Sequence, residues 1–173
     1  NPIGIKVGPN TKTDELLKII DTLNSFNERG KITLICRMGH EKVGNILPNI
    51  IKSIHKAGKN VVWTCDPMHG NTIKSNTGYK TRPLKDIISE IHQFFQIHRT
   101  EGTYPGGVHL EMTGQDVTEC MGGLQEITDK DLQNRYHTYC DPRLNASQSL
   151  ELAFLLSDFL KEEKLLTKQS SNL

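Results

Sequence analysis

The chain has 173 residues, which is one domain by length. Lys+Arg total 21 against Asp+Glu 20, a net charge of +1, so there is no global electrostatic case for nucleic acid or an acidic membrane surface as partner. A hydrophobic content of 35% is low for a self-sufficient core and predicts a chain that leans on something outside itself.

No apolar run approaches the ~20 residues needed to cross a bilayer, and no signal-peptide pattern is visible. The chain opens on Asn1-Pro2 and reads as a piece of a longer polypeptide. Cys36, Cys65, Cys120 and Cys140 form no CxxC pair. Free thiols in a reducing compartment are expected, the cytoplasm or, in a plant, the plastid.

Residues 2–8 read as a short apolar strand bearing Lys6 near its end. Asn10 to Thr13 carry helix-cap chemistry, and Asp14-Glu15 place negative charge in a first turn. Leu16, Leu17, Ile19, Ile20, Leu23 and Phe26 recur at helical spacing, with Gly30 as the stop. Residues 32–37 form a second strand that ends in Arg37. Ile46, Leu47, Ile50, Ile51 and Ile54 form a second helix closed by Gly58; Pro48 predicts a late start, because proline is tolerated in a first turn only.

The third strand, Val61 to Trp63, changes abruptly to Cys65-Asp66-Pro67-Met68-His69-Gly70-Asn71. A strand ending in ligand-type residues is how an α/β enzyme presents chemistry at the carboxyl edge of its sheet. Residues 73–82 are polar and basic and predict a loop, in which Lys80 and Arg82 are either solvated charge or a phosphate contact. A helix follows from Pro83 through Ile97. Pro105-Gly106-Gly107 is expected to break the chain ahead of a fourth strand, residues 108–112, ending at Glu111. Residues 115–135 predict irregular structure with a short helix start at Thr128-Asp129. Cys140-Asp141-Pro142 leads into a long terminal helix whose apolar side runs from Leu150 to Leu160, and a polar tail occupies 167–173.

Strand and helix alternate four times, so the strands are expected to be parallel with crossover helices. Each strand ends in or near one chemical residue: Lys6, Arg37, His69 or Glu111. Their separations match βα units, which predicts all four at one sheet edge. Four such units are either half of a (β/α)8 barrel or an open doubly wound sheet.

His69, Glu111 and Asp141 form one candidate constellation. One imidazole with two carboxylates is a mixed N/O donor set suited to Mn, Fe(II), Co or Zn. The competing reading makes Glu111 and Asp141 ordinary surface or capping carboxylates, with Asp141 before Pro142 a turn residue. Lys6 and Arg37 form the second constellation. A cation at the end of a buried strand needs an anionic ligand or a salt bridge, with Asp66, Glu111 and Asp141 as the available partners. Cys36, Cys65 and Cys140 read as packing thiols rather than nucleophiles.

Six blocks then carry a resemblance: Ile5-Lys6-Val7-Gly8-Pro9, Arg37-Met38-Gly39, Trp63 to Thr72, Gly78-Tyr79-Lys80-Thr81-Arg82, Gly107 to Cys120, and Cys140-Asp141-Pro142-Arg143-Leu144-Asn145. Together they closely resemble class II (plant-type) 3-deoxy-D-arabino-heptulosonate 7-phosphate synthase (DAHP synthase), from residue 2 to about residue 160. The resemblance implies that residues 1–166 are the C-terminal half of a (β/α)8 TIM barrel. It implies condensation of phosphoenolpyruvate with D-erythrose 4-phosphate and water, giving DAHP and phosphate, at the head of the shikimate pathway. It further implies His69, Glu111 and Asp141 as ligands of a divalent metal, Mn2+ first and Co2+, Fe2+ or Zn2+ as alternatives. The family's fourth ligand, a Cys on the first barrel strand, has no counterpart here. Lys6 and Arg37 match the phosphoenolpyruvate-binding cations, so Lys6, Arg37 and His69 are the expected catalytic set, and Lys80 matches a contact for the sugar phosphate. A homo-oligomer is expected for the full-length enzyme. The alternative is a non-catalytic fragment that binds metal or partner chains only. A barrel-type metal hydrolase is disfavoured by the lack of an HxH pair.

Overall fold

A computed structural model describes the backbone of residues 1–170 and the side chains as far as residue 162. The chain divides into two compact units, residues 1–72 with 86–110 and residues 73–85 with 111–173.

The first unit is a four-stranded parallel sheet. Strands β1 (Ile3–Val7), β2 (Ile32–Cys36), β3 (Val62–Cys65) and β6 (Pro105–Val108) lie in the order β1-β2-β3-β6. The β1–β2 pair runs in register from Ile3↔Ile32 to Val7↔Cys36, and β2–β3 ends on Cys36↔Cys65. Alternation therefore puts Ile32, Leu34, Cys36, Trp63 and Cys65 on one face, and all five are buried. The opposite face carries Thr33, Ile35, Val62 and Thr64 and is only half-covered. Parallel sheets are ordinarily covered on both faces. The half-covered face accords with the low hydrophobic content.

The elements of this unit follow the sequence with three corrections. Helix α1 spans Thr13–Leu23 and has Lys12 at its N-cap with no side-chain cap bond; the Thr11 hydroxyl instead accepts from Gly8 N at 3.0 Å. It ends at Asn24, whose N–H reaches Ile20 O at 2.8 Å and whose side chain bonds both N and O of Glu28. The helix thus stops before Phe26, which is exposed, and well before Gly30. Helix α2 spans Val43–Lys56 and holds Pro48 inside it rather than in its first turn. The residue four before Pro48 is Gly44, so the strained turn carries no side chain there, and the buried Leu47, Ile50, Ile51 and Ile54 fix the helix around it. Strand β6 runs through Pro105-Gly106-Gly107 instead of starting after them. A Cβ on Gly106 would stand 2.8 Å from Trp63 O, so glycine lets the two backbones close up beside a register shift at Trp63/Thr64.

Helix α3 spans Leu84–Thr100. Within the first unit it buries Ile87, Ile91 and Phe94 together with two titratable side chains, Glu90 and His98. His98 packs on Phe94 and Trp63 at ring separations of 4.4 and 5.4 Å, and its Nδ1 meets Thr103 Oγ1 at 2.7 Å. Burial lowers His98 to about 4, and burial raises Glu90 to about 7. The two act on stability with opposite signs. The raised carboxyl contributes stability that is full below its unfolded value and is lost as pH rises through about 7. The depressed imidazole contributes stability that is full above its unfolded value and is lost as pH falls toward about 4. Over the shared window the two cancel. As pH rises from about 5 to about 6.5, His98→Phe should therefore lose ~2 kcal/mol of its own stability and Glu90→Gln should gain a similar amount over its own value at the lower pH, while wild type stays nearly level. Urea unfolding at each pH reads this; parallel pH curves for all three proteins would refute the assignment.

The second unit has little regular structure ahead of its helix. A small hairpin of two-residue strands, β4 (Ile73–Lys74) with β5 (Lys80–Thr81), replaces the expected loop. Residues 82–84 then pair with Met121, whose N–H reaches Arg82 O at 3.0 Å and whose O accepts Leu84 N at 2.9 Å. The short helix start appears as a 3-10 turn, Asp129–Asn134, opened by a Thr128/Asp131 capping box. Helix α4 spans Ala146–Ser170. Asn145 and Gln148 cap it reciprocally, Gln148 N to Asn145 Oδ1 at 2.9 Å and Asn145 N to Gln148 Oε1 at 3.2 Å. Of its apolar side Leu152 is buried, while Leu150, Phe154 and Leu160 are exposed. The expected polar tail, 167–173, lies outside the described side chains. No helix of the described residues is long and apolar enough to cross a membrane. All four cysteines are free, with Cys36, Cys65 and Cys120 buried and Cys140 exposed.

Candidate functional site

In the first unit the chemistry gathers on Asp66, the residue after β3. Its N–H reaches across to Cys36 O at 2.6 Å, and its carboxylate is fully buried. Asp66 Oδ1 accepts the N–H groups of Met68 and His69 at 3.1 and 3.2 Å, which folds the chain into a 3-10 turn at His69–Asn71. The same carboxylate receives His69 Nδ1 at 2.8 Å and the Lys6 ammonium from β1. Burial alone would raise this acid, but the hydrogen bonds from Lys6 and His69 hold it below its ordinary value.

Two consequences follow for the sequence-predicted residues. His69 Nδ1 lies against the Asp66 carboxylate, a contact that orients the ring and, in a neutral imidazole, makes Nε2 the atom available to a metal. Lys6 has Asp66 as its anchor, the salt-bridge partner among the two alternatives for it, and its side chain is still 40% exposed. Arg37 follows β2 with its N–H on Val7 O at 2.8 Å, and its exposed guanidinium lies over Gly8. Lys6, Arg37 and His69 thus sit at or just past the carboxyl ends of adjacent strands.

The turns after β2 and β3 meet backbone to backbone. Gly39 has φ +86°, and a Cβ on Gly70 would stand 2.3 Å from Gly39 N. No side chain fits between them.

In the second unit the chemistry gathers on Arg82. This side chain is fully buried, and its guanidinium binds Glu111 Oε2 and Pro142 O through NH1, with Asp141 Oδ1 at 3.9 Å from NH2. Lys80, half-exposed at β5, also binds Asp141. Glu111 and Asp141, with the chain separation of two loops, therefore share one arginine. They are half-buried members of a charge cluster rather than isolated surface acids. The backbone supports the pairing: Leu144 N donates to Glu111 O at 3.0 Å and Thr113 N to Leu144 O at 2.9 Å. Glu119, also buried, clamps Arg143 through Nε and NH2 at 2.9 and 2.7 Å and takes the N–H groups of Arg143 and His137. That brackets the Cys140-Asp141-Pro142 turn on both sides. Burial opposes ionisation of Glu119, but the Arg143 hydrogen bonds outweigh it and lower the acid.

Sequence reasoning missed the organising residues of both clusters. Asp66 was legible only as one of several partners for Lys6. Arg82 stands in a polar stretch that gives no sign of burial; its one signal is position, directly before Pro83 and the helix.

The sequence profile of the class-II DAHP synthetase family matches residues 1–157. The chain is 52% identical over 162 residues to "Phospho-2-dehydro-3-deoxyheptonate aldolase AroG" of Mycolicibacterium smegmatis, covering 94% of this chain and 35% of that protein. It is 48% identical over 163 residues to "Phospho-2-dehydro-3-deoxyheptonate aldolase" of Streptomyces coelicolor, covering 94% and 36%. The chain spans about a third of the length of these curated relatives. A profile match over nearly the whole chain, at half identity to two relatives, establishes that the chain belongs to the class-II DAHP synthetase family.

Proposed function

We propose that this chain carries part of the active site of a 3-deoxy-7-phosphoheptulonate synthase, and that the observation bearing most weight is the Lys6–Asp66–His69 cluster at the carboxyl edge of a parallel sheet. The reaction joins C3 of phosphoenolpyruvate to the aldehyde carbon of D-erythrose 4-phosphate; water adds at C2, and phosphate leaves. It is the entry step to the shikimate pathway. Family membership and the printed names of the two relatives support this reading.

His69, Glu111 and Asp141 are the proposed metal ligands, Mn2+ first, with Co2+, Fe2+ or Zn2+ as alternatives. The donor set fits such an ion: one imidazole oriented by a carboxylate at Nδ1, and two carboxylates held by a common arginine. A bound divalent ion would supply Lewis-acid polarisation of the aldehyde. Asp66 orients the His69 ring through its contact with Nδ1. Lys6 and Arg37 bind the phosphoenolpyruvate anion, Arg37 bidentately, and offset its charge as the carbon–carbon bond forms. Asp66 holds the Lys6 ammonium in place for that task. Lys80 is the proposed contact for the sugar phosphate; its exposed side chain is held by Asp141.

The half-barrel is likewise our reading. A parallel sheet with one buried face and one half-covered face, rich in threonine, suits a barrel wall better than the middle layer of a doubly wound sheet. Full-length oligomerisation belongs to the same proposal.

The complete polypeptide should release phosphate from phosphoenolpyruvate only when D-erythrose 4-phosphate is present. Chelation should abolish release and Mn2+ restore it. His69→Ala should weaken metal binding on the order of a hundredfold and lose turnover with it. Metal content retained in that variant would remove His69 from the ligand set. Metal uptake by the wild type without condensation would leave the second reading, a non-catalytic metal-binding chain.

A further inference from the structure

Glu90 is fully buried in α3 and takes no part in the chemistry above. Its carboxylate faces only donors. Oε1 accepts the N–H groups of Met38 and Gly39, both at 2.9 Å. Oε2 accepts Asn71 Nδ2 at 2.7 Å. The Asn71 amide cannot turn over, because Nδ2 also donates to Pro67 O at 2.8 Å, while Oδ1 accepts His40 N at 2.9 Å. His40 Nδ1 lies 2.9 Å from the same oxygen and so carries its proton.

One carboxylate therefore holds two turns. The first is Met38-Gly39-His40, directly after Arg37. The second is His69-Gly70-Asn71. The glycine-to-glycine contact lets these turns approach but sets no direction; the hydrogen bonds to Glu90 and Asn71 do.

We propose that Glu90, as a carboxylate, is a positioning residue that locks the turn after Arg37 to the turn bearing His69, so that the anion-binding cation and the metal ligand are set as one piece. The inference rests on the roles proposed above for Arg37 and His69. A carboxylate is required because three donors and no acceptor face it; the amide of glutamine would turn one N–H2 toward another donor.

Burial sets Glu90 at about 7 despite three stabilising hydrogen bonds, and the charge of Asp66 adds to the rise. The other titratable groups around it are Cys36 on β2 and Cys65 on β3, both kept as neutral thiols by burial. Beyond Asn71 stands His40, with Asp86 3.8 Å from its Nε2. A proton on Glu90 puts a donor where a donor already points. Either the Asn71 amide or the Met38 and Gly39 N–H groups must then let go.

The test is hydrogen exchange by mass spectrometry on the complete polypeptide, with rates corrected for intrinsic pH dependence. In wild type, peptides containing Met38-Gly39-His40 and Gly70-Asn71 should be protected at about pH 8. In Glu90→Gln both should lose that protection, roughly tenfold, while the remaining strands of the sheet keep theirs. Mn2+ and phosphoenolpyruvate should each bind the variant more weakly. Wild-type protection of both turns in Glu90→Gln overturns the proposal, as does unchanged affinity for both ligands in a variant whose turns have loosened. Should Glu90→Gln not fold, Glu90→Asp decides in its place: its carboxylate stops one bond short of the Met38, Gly39 and Asn71 donors, and wild-type protection of both turns in that variant overturns the proposal. The exchange readout needs no turnover, so its failure is distinct from an absence of condensation in the wild type.

Discussion

Gly70→Ala is expected to destabilise the first unit by ~3 kcal/mol or more. The added Cβ would stand 2.3 Å from Gly39 N, 2.9 Å from Gly39 Cα and 3.0 Å from Met38 C. All three are backbone atoms, so no side chain can rotate away. The turns would have to separate, and the Glu90 and Asn71 hydrogen bonds would break with them. Gly58 provides the control. It has φ +65° at the end of α2, with nothing within 4 Å of its Cβ position. Gly58→Ala therefore carries only the dihedral penalty of a left-handed residue, ~1 kcal/mol. Denaturant unfolding of the two variants separates crowding from backbone strain; equal losses would mean that the turns are not in contact in solution.

Arg82→Met should be the most damaging single change in the second unit. Arg82 is fully buried and binds Glu111 and Pro142 O, with Asp141 beside it. Methionine preserves much of the volume and removes the charge. Glu111 and Asp141 then lose the buried cation they share. Breaking a buried pair in this way typically costs ~3–5 kcal/mol. Arg82→Lys should rescue little, because the shorter side chain stops its ammonium short of the point where NH1 meets both Glu111 and Pro142 O, and leaves no second nitrogen beside Asp141. Lys80→Met, at an exposed pair, should cost no more than ~1 kcal/mol. Thermal unfolding of the three variants orders them, and an Arg82→Met no worse than Lys80→Met would dissolve the assigned role.

Much of this architecture is legible in residue order, and the exceptions share a cause. Strand β2 announces itself by alternating Ile32, Leu34 and Cys36, and α2 by Leu47, Ile50, Ile51 and Ile54, because burial is periodic and hydropathy reports burial. Pro48 and Pro105-Gly106-Gly107 mislead for the opposite reason. Their local preferences are real, but packing outweighs them: burial of Leu47, Ile50, Ile51 and Ile54 keeps α2 helical through Pro48, and strand β3 approaches Gly106. Of the chemical residues, Lys6, Arg37, His69, Glu111 and Asp141 stand out because polar side chains interrupt apolar runs or follow them. Asp66, Arg82, Glu90 and Glu119 do not, since each acts by holding another residue in place, and a supporting role leaves no mark on spacing. Glu90 in particular occupies an unremarkable position in a helix with charges elsewhere along it.

The distribution of sulfur gives the protein its own set of opening reporters. Cys36 and Cys65 are register partners across β2 and β3, and burial pushes both thiols far above the usual range. Cys120, in the other unit, is pushed to about 12 by burial. Cys140 lies at the surface. A maleimide pulse thus tags one sulfur in the native protein, and each further tag records an excursion of a known part: a pair when the sheet parts, a single when the Arg82 region comes undone. Counted by intact mass across a denaturant series, the tags would tell whether the two units melt as one cooperative body or in turn, with no dye, probe or substitution introduced.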